Sequence, residues 1–364
     1  MATQMITKLR SASGRSKMID QSYTDTINTE EQLEEILSRP DDIIIELFSR
    51  LKGDLMFLGV GGKIGPSLAR MAKRACERAG VRKKIIGVSL FESEEHQKKI
   101  ENTGIETING DLLNVDFIRS LPMLKNVIFL AGMKFGSSEK LSLTWAVNSY
   151  LPALVAEHFK QSRIVAFSTG CVYPLVPVES GGSKETDAPG PVGEYAQSCL
   201  GRERMFEFGS NKYNTPVSII RLNYSVELRY GVLVDIALKV KNKLPVDLDM
   251  GYFNVIWQGD VNEFVLRSIE LAESPARIIN VTGPEILSVR EVAREFGKLF
   301  DEDVRFSGKE ANTALLSNSN LAYSIMGRPK TPVIRVIQWI ANWIQKSGRM
   351  LGKPTHFEVR DGKY

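Results

Sequence analysis

The run Leu58-Gly59-Val60-Gly61-Gly62-Lys63-Ile64-Gly65 constrains this chain more than any other segment. It follows an apolar stretch, Leu55 to Leu58, and leads straight into a helical pattern. Glycines at 59, 62 and 65 allow a tight turn, a close backbone approach by a ligand, and packing of the following helix onto the strand. The first turn of that helix, from Pro66, presents N–H groups with no partner inside the helix, and these favour phosphate oxygens. A strand before the glycines and a helix after them turn a weak spacing into the reading of a dinucleotide cradle.

From Asp54 onward, strand and helix patterns alternate. Strands are expected at Leu55 to Leu58, Lys84 to Val88, Val127 to Ala131, Arg163 to Ser168 and Val217 to Leu222. Helices are expected at Pro66 to Ala79 and near Leu141 to Phe159 and Glu194 to Phe208. Short buried strands separated by helices predict an α/β fold with a parallel, doubly wound sheet over residues 54–225. Beyond about Arg221 the pattern loosens around Pro245, Gly251 and Asn254, then gives helices at Val261 to Glu273 and Val289 to Phe300. Residues 226–364 read as a smaller substrate lobe, interleaved with the core and closing over a ligand at the carboxyl ends of the strands. Trp339 and Trp343, spaced i,i+4 among Ile337, Ile340 and Ile344, read as a packed amphipathic helix.

At the other end, Thr29-Glu30-Glu31-Gln32 is a capping box. It opens a helix through Leu33, Ile36 and Leu37 that Pro40 stops, and a second short helix runs from Asp42 to Leu51. Residues 20–53 form a helical appendage whose apolar face must pack on the main fold or on another subunit, so a homodimer is compatible with it. Residues 1–19 carry Lys8, Arg10, Arg15 and Lys17 and no acid. They read as a disordered basic tail or as a start upstream of Met18, with an organelle transit peptide as the alternative.

Bulk composition excludes several classes. With 47 basic and 43 acidic residues the formal charge is only +4, too small and too dispersed for a nucleic-acid surface. Three cysteines and three histidines in 364 residues provide neither a disulfide framework nor a zinc spacing. A reducing, cytoplasmic location fits. The longest apolar runs have strand length, so no membrane span is expected.

A carboxylate ending the second strand would bind the adenosine ribose and select NAD. Ser89 stands there, followed by Leu90 and Phe91 with no arginine, so NAD and NADP both remain open. Gly110-Asp111-Leu112 puts Asp111 near the adenine or, alternatively, makes it the cap of a turn.

Together these motifs resemble the extended short-chain dehydrogenase/reductase family, in its NAD-dependent epimerase/dehydratase branch that includes UDP-galactose 4-epimerase, over roughly Asp54 to Phe300. Val127-Ile128-Phe129-Leu130-Ala131-Gly132-Met133-Lys134 is similar to that branch's stretch ending Ala-Gly-Leu-Lys, and Asn148 falls where the family has a cofactor-touching asparagine. The resemblance implies a Rossmann-type sheet. It also implies a cofactor site of Gly59, Gly62, Lys63, Ile64, Gly65, Ser89, Asp111, Leu112, Ala131, Gly132, Lys134, Asn148, Tyr195 and Asn223.

Phe167-Ser168-Thr169-Gly170-Cys171-Val172-Tyr173 is similar to the family's catalytic strand end, which makes Thr169 the hydroxyl. Glu194-Tyr195-Ala196-Gln197-Ser198-Cys199 occupies the place of Tyr-x-x-x-Lys, which makes Tyr195 the acid/base and Cys199 a departure. A phenol with a pKa near 10 works at neutral pH only if its anion is stabilised, a task the lysine performs elsewhere in the family. Lys134 or Arg202, seven residues after Tyr195 on the same helical face, could compensate. Phe253 stands where the family carries an arginine for the diphosphate or nucleotide, so the resemblance implies a sugar-like substrate without a nucleotide handle.

Two functions are then expected. One is an NAD(P)-dependent epimerase, isomerase or oxidoreductase acting on a carbinol of a sugar or sugar acid. The alternative is an NAD(P)-binding regulator or assembly partner without turnover.

Overall fold

The computed structural model describes residues 26–134, 136, 137, 139–353 and 355–363. The tail 1–19 lies outside the described residues.

Seven strands form one sheet: β1 Leu55–Leu58, β2 Ile85–Ser89, β3 Glu106–Asn109, β4 Asn126–Phe129, β5 Arg163–Thr169, β6 Val217–Leu222 and β7 Arg277–Val281. Their order is β7-β6-β5-β4-β1-β2-β3, and every pair is parallel. The chain winds outward from β1 to one edge and from β4 to the other. The strand order therefore reverses at β1 and β4, the kind of switch point beyond which ligands of open α/β sheets bind. β1, β2 and β4 are buried along their whole length, which is why their sequences are nearly continuous apolar runs rather than alternating ones.

Side chains of β1 divide between two cores, as a period of two requires. Leu55 and Phe57 face α2 Asp42–Arg50, α3 Gly65–Arg78 and a later helix, Gln258–Arg267. Met56 and Leu58 join Phe129, Phe159 and Phe206 on the opposite face. A third core unites Leu33, Ile36 and Leu37 of α1 Glu30–Leu37 with the helices Val232–Lys241, Val289–Phe300 and Val333–Gln345. Residues 30–50 are therefore not one packing unit, because α1 seals the C-terminal lobe while α2 seals the sheet. Trp339 and Trp343 are both buried in that lobe.

Local signals explain the helix starts. Thr29 accepts from Gln32 N (3.2 Å) and Asp41 from Ile44 N (2.7 Å). The return half of the capping box is displaced by one residue, with Gln32 Oε1 accepting from Asn28 N at 2.7 Å. The helix read as Val261 to Glu273 instead spans Gln258–Arg267. Its Asp260 accepts from the backbone N–H and hydroxyl of Thr331 (3.1 and 3.2 Å), and burial pushes this carboxyl up to about 6. No helix among the described residues is long and apolar enough to cross a membrane.

Candidate active site

The glycine turn follows β1, at this switch point. Gly59 has φ +88°, and a Cβ there would sit 2.6 Å from Ala131 N, so both the turn and the close neighbouring strand require glycine. A Cβ on Gly65 would come within 2.1 Å of Val60 O, which is how α3 lies so tightly against the turn. Gly62 is different. Its φ is ordinary, and a Cβ would meet only Gly59 O, at 3.5 Å. The fold itself does not demand glycine at 62, whereas a ligand resting on the turn would.

Ile64 precedes α3, and no side chain caps the helix, so the N–H groups of its first turn remain available to an anion. These features fit the pyrophosphate of a nicotinamide dinucleotide. Gly62→Asp is expected to abolish dinucleotide binding with the fold intact, because a carboxylate would repel the phosphates. Equal calorimetric affinity of wild type and variant for NAD and NADP would show that the turn has another purpose.

Beside the turn, Ser89 ends β2, and its hydroxyl lies 2.9 Å from where a Cβ of Gly61 would stand. Asp111 is exposed and accepts from Leu113 N (2.9 Å), so its carboxylate holds its own turn; Leu112 is buried in the core. Ala131 N donates to Leu58 O (3.0 Å), which ties the end of β4 to the turn. Asn148 is fully buried in a π-helical turn, Ala146–Tyr150, between the helices Leu141–Trp145 and Leu151–His158. Its amide clamps Met133 through two hydrogen bonds of 2.9 Å and donates to Ser198 Oγ at 3.0 Å. Asn223 donates to Asn254 Oδ1 (2.8 Å), and this contact ties β6 to the C-terminal lobe.

Thr169 ends β5, and Tyr195 lies in the first turn of the helix Gly193–Tyr213. The Thr169 side chain acts on the Tyr195 phenol, and the phenol in turn acts on the thiol of Cys199, which is fully buried. Burial drives the Tyr195 phenol well above its ordinary value, while Arg202 and Thr169 act in the opposite direction. The fold thus brings together the two catalytic candidates of the sequence.

Two lysines converge on the same region. Lys63 Nζ donates to Ser225 O (3.4 Å) and lies 4.2 Å above the Tyr230 ring; burial lowers its pKa to about 8. Lys134 Nζ donates to Thr355 O (3.2 Å), and burial lowers its pKa as well.

The partner of Lys134 belongs to a segment that sequence reasoning missed. Residues 349–353 and 355–363 bridge the lobe and the sheet domain. Thr355 donates to Asp235 through its backbone and its hydroxyl (2.8 and 2.6 Å), Phe357 is buried with its ring centroid 6.1 Å from that of Phe253, and Arg360 donates to Thr313 O (2.9 Å). Gly362 abuts Gly193, at the start of the Tyr195 helix. Tyr224, with φ +45°, is a non-glycine residue in the left-handed region, of the kind that clusters at functional sites. No sequence pattern pointed to these residues, because their contacts join segments far apart along the chain.

No protein-family model matches the sequence, and no curated protein matches it. Solved structures do match. The UDP-glucuronic acid 4-epimerase from Bacillus cereus, in complex with NAD, superposes with a TM-score of 0.67 at 15% identity over 81% of this chain and 99% of that one. The UDP-glucose 4-epimerase of Thermus thermophilus, also with NAD, gives 0.65 at 20% identity over 80% and 99%. A dTDP-glucose 4,6-dehydratase from Streptomyces venezuelae, with NAD bound, gives 0.68 at 15% over 80% and 97%. At such identities the likeness is one of architecture, and the chain has the Rossmann-type α/β fold seen in these epimerases and dehydratases.

Proposed function

We propose that this protein is an NAD(P)-dependent enzyme that oxidises a carbinol of a sugar or sugar-acid derivative, as an epimerase, isomerase or dehydrogenase. The observation that carries the reading is the Tyr195 phenol set beside the Thr169 side chain, in a fold whose glycine turn is left open at Gly62 and at the start of α3. The turn 59–65 would hold the pyrophosphate, with Lys63 above it, and the strip 131–134 clamped by Asn148 would line the nicotinamide half. A bound nicotinamide supplies the hydride acceptor. Tyr195 takes the carbinol proton, and Thr169 fixes the carbinol oxygen and the phenol relative to each other.

A substrate without a nucleotide is supported by Phe253. This residue, at the position of the family's arginine, is fully buried against Phe357 and offers no charge to a diphosphate. The solved structures named above are of enzymes for nucleotide sugars, so on this reading the substrate is where the present chain departs from them.

A second reading, a dinucleotide-binding protein without turnover, is favoured by one observation: the residue one turn after Tyr195 is a buried, neutral thiol. One experiment separates the two. Purified protein is denatured and any released dinucleotide identified by mass spectrometry; refolded or untreated protein is then assayed against free sugars, sugar acids and nucleotide sugars. Turnover of free sugars or sugar acids supports the proposal, and turnover confined to nucleotide sugars removes its substrate class. Bound dinucleotide with no turnover on any substrate transfers the assignment to the second reading.

A further inference from the structure

The Tyr195 phenol needs a positive charge nearby if it is to work as a base near neutrality, and Cys199 provides none. Burial pushes the Cys199 thiol up to about 11, so it remains neutral. Lys134 is turned toward the C-terminal segment, where the Thr355 carbonyl holds it.

Arg202 is placed differently. It lies two turns after Tyr195 on the helix Gly193–Tyr213, with Cys199 between them, and long helical side chains lean back toward the N-terminus. The side chain is only 6% exposed. Nη1 donates to Phe167 O (2.9 Å) and Nη2 to Asn148 Oδ1 (2.6 Å); both acceptors are neutral, and Nε has no partner. The neighbouring carboxylate, Glu203, is already held by Arg221 and Ser168. Among the described residues, no carboxylate pairs with Arg202. Buried charges are ordinarily paired, because desolvation is costly. The guanidinium lies over the Phe129 ring (5.6 Å to its centroid) and near enough to Tyr195 for its charge to lower the phenol's pKa, and among the described residues a Tyr195 phenolate would be its counter-charge. The backbone at Gly132 lies close against the guanidinium, since a Cβ there would sit 2.6 Å from Nη2.

We infer that Arg202 is a positioning residue that supplies, from a position seven residues after Tyr195, the charge missing at Cys199. The inference rests on the reading of Tyr195 as the acid/base. In oxidation the carbinol O–H proton passes to the Tyr195 phenolate oxygen as the C–H bond yields its hydride to the nicotinamide; in reduction both return. Arg202 takes no part in the proton transfer itself. Through Asn148 it also steadies the strip 131–134, so charge and geometry must be separated experimentally.

The test is a direct titration of Tyr195. Protein labelled with carbon-13 at the hydroxyl-bearing ring carbon of tyrosine is titrated by NMR with and without NAD, and the Tyr195 signal is assigned by its loss in Tyr195→Phe. Arg202→Gln retains an amide donor for the Phe167 or Asn148 contact but no charge, and Arg202→Lys retains the charge. The Tyr195 midpoint is expected to rise by about one pH unit or more in Arg202→Gln, a tenfold weaker acid, and to stay near wild type in Arg202→Lys. A merely structural Arg202 would leave the Gln and wild-type midpoints equal, and that result overturns the inference, as does a wild-type phenol that fails to titrate before alkaline unfolding. Should Arg202→Gln not fold, Cys199→Lys/Arg202→Gln decides. A midpoint at or below wild type supports charge supply, and one well above it refutes it. Failure of NAD to bind would sink the functional reading and leave this comparison intact.

Discussion

Tyr195→Phe is expected to lower turnover by about 10²–10⁴-fold, the usual contribution of a positioned acid/base, with dinucleotide affinity retained. The substitution removes one oxygen and keeps the ring that packs beside Cys171, Ala196 and Leu315, so neither the fold nor the glycine turn is disturbed. The pH dependence carries further information. Burial raises the phenol's pKa, so the base form is scarce at neutral pH and the wild-type oxidation rate should climb as pH rises toward the phenol's midpoint. Cys199→Lys, by adding a second cation, should shift that climb toward neutral pH. A Tyr195→Phe variant with full turnover on the substrate found in the screen would exclude the acid/base assignment, whatever happened at Arg202.

The second large effect concerns stability. Glu203 and Arg221 form a fully buried bidentate pair, Nε to Oε1 at 3.0 Å and Nη2 to Oε2 at 2.7 Å. Ser168 donates to Glu203, Arg221 Nη1 donates to Tyr173 Oη (2.7 Å), and that phenol donates to Asn280 Oδ1 (2.9 Å). The network ties β5, β6, β7 and the Tyr195 helix into one unit. Removing one partner leaves the other charge buried and unpaired, so Glu203→Ala or Arg221→Met is expected to cost about 3–5 kcal/mol. That is a large share of the ~5–15 kcal/mol by which domains are stable. The double variant Glu203→Leu/Arg221→Met should be less damaging than the sum of its parts, since no charge is stranded. Urea unfolding measures both, and single variants within about 1 kcal/mol of wild type would show that water or another residue satisfies the remaining charge.

The legible part of the fold was local. Strand and helix periodicity placed β1, α3, β5 and β6 within a residue or two, and the cap at Thr29 came from a residue type that competes for free N–H groups. β7 escaped because Arg277–Val281 lies within the segment read as the C-terminal lobe; only its pairing with β6 makes it part of the main sheet. The π-helical turn around Asn148 was equally invisible. The sequence there reads as one continuous helix, and the extra residue per turn is recognised only by which groups it brings to Met133.

By itself, then, the sequence determined the class of fold and the glycine turn, because each depends on contacts between residues near one another along the chain; Thr169 and Tyr195 came only from the resemblance to a family's motifs. Tertiary structure alone decided what surrounds them. It turned Lys134 toward Thr355, buried Arg202 against the neutral acceptors Phe167 O and Asn148 Oδ1, and laid Phe357 over Phe253. These outcomes depend on burial and on which distant groups compete for each charge. Desolvation and pairing are properties of packed surroundings, and no local pattern of residues specifies them.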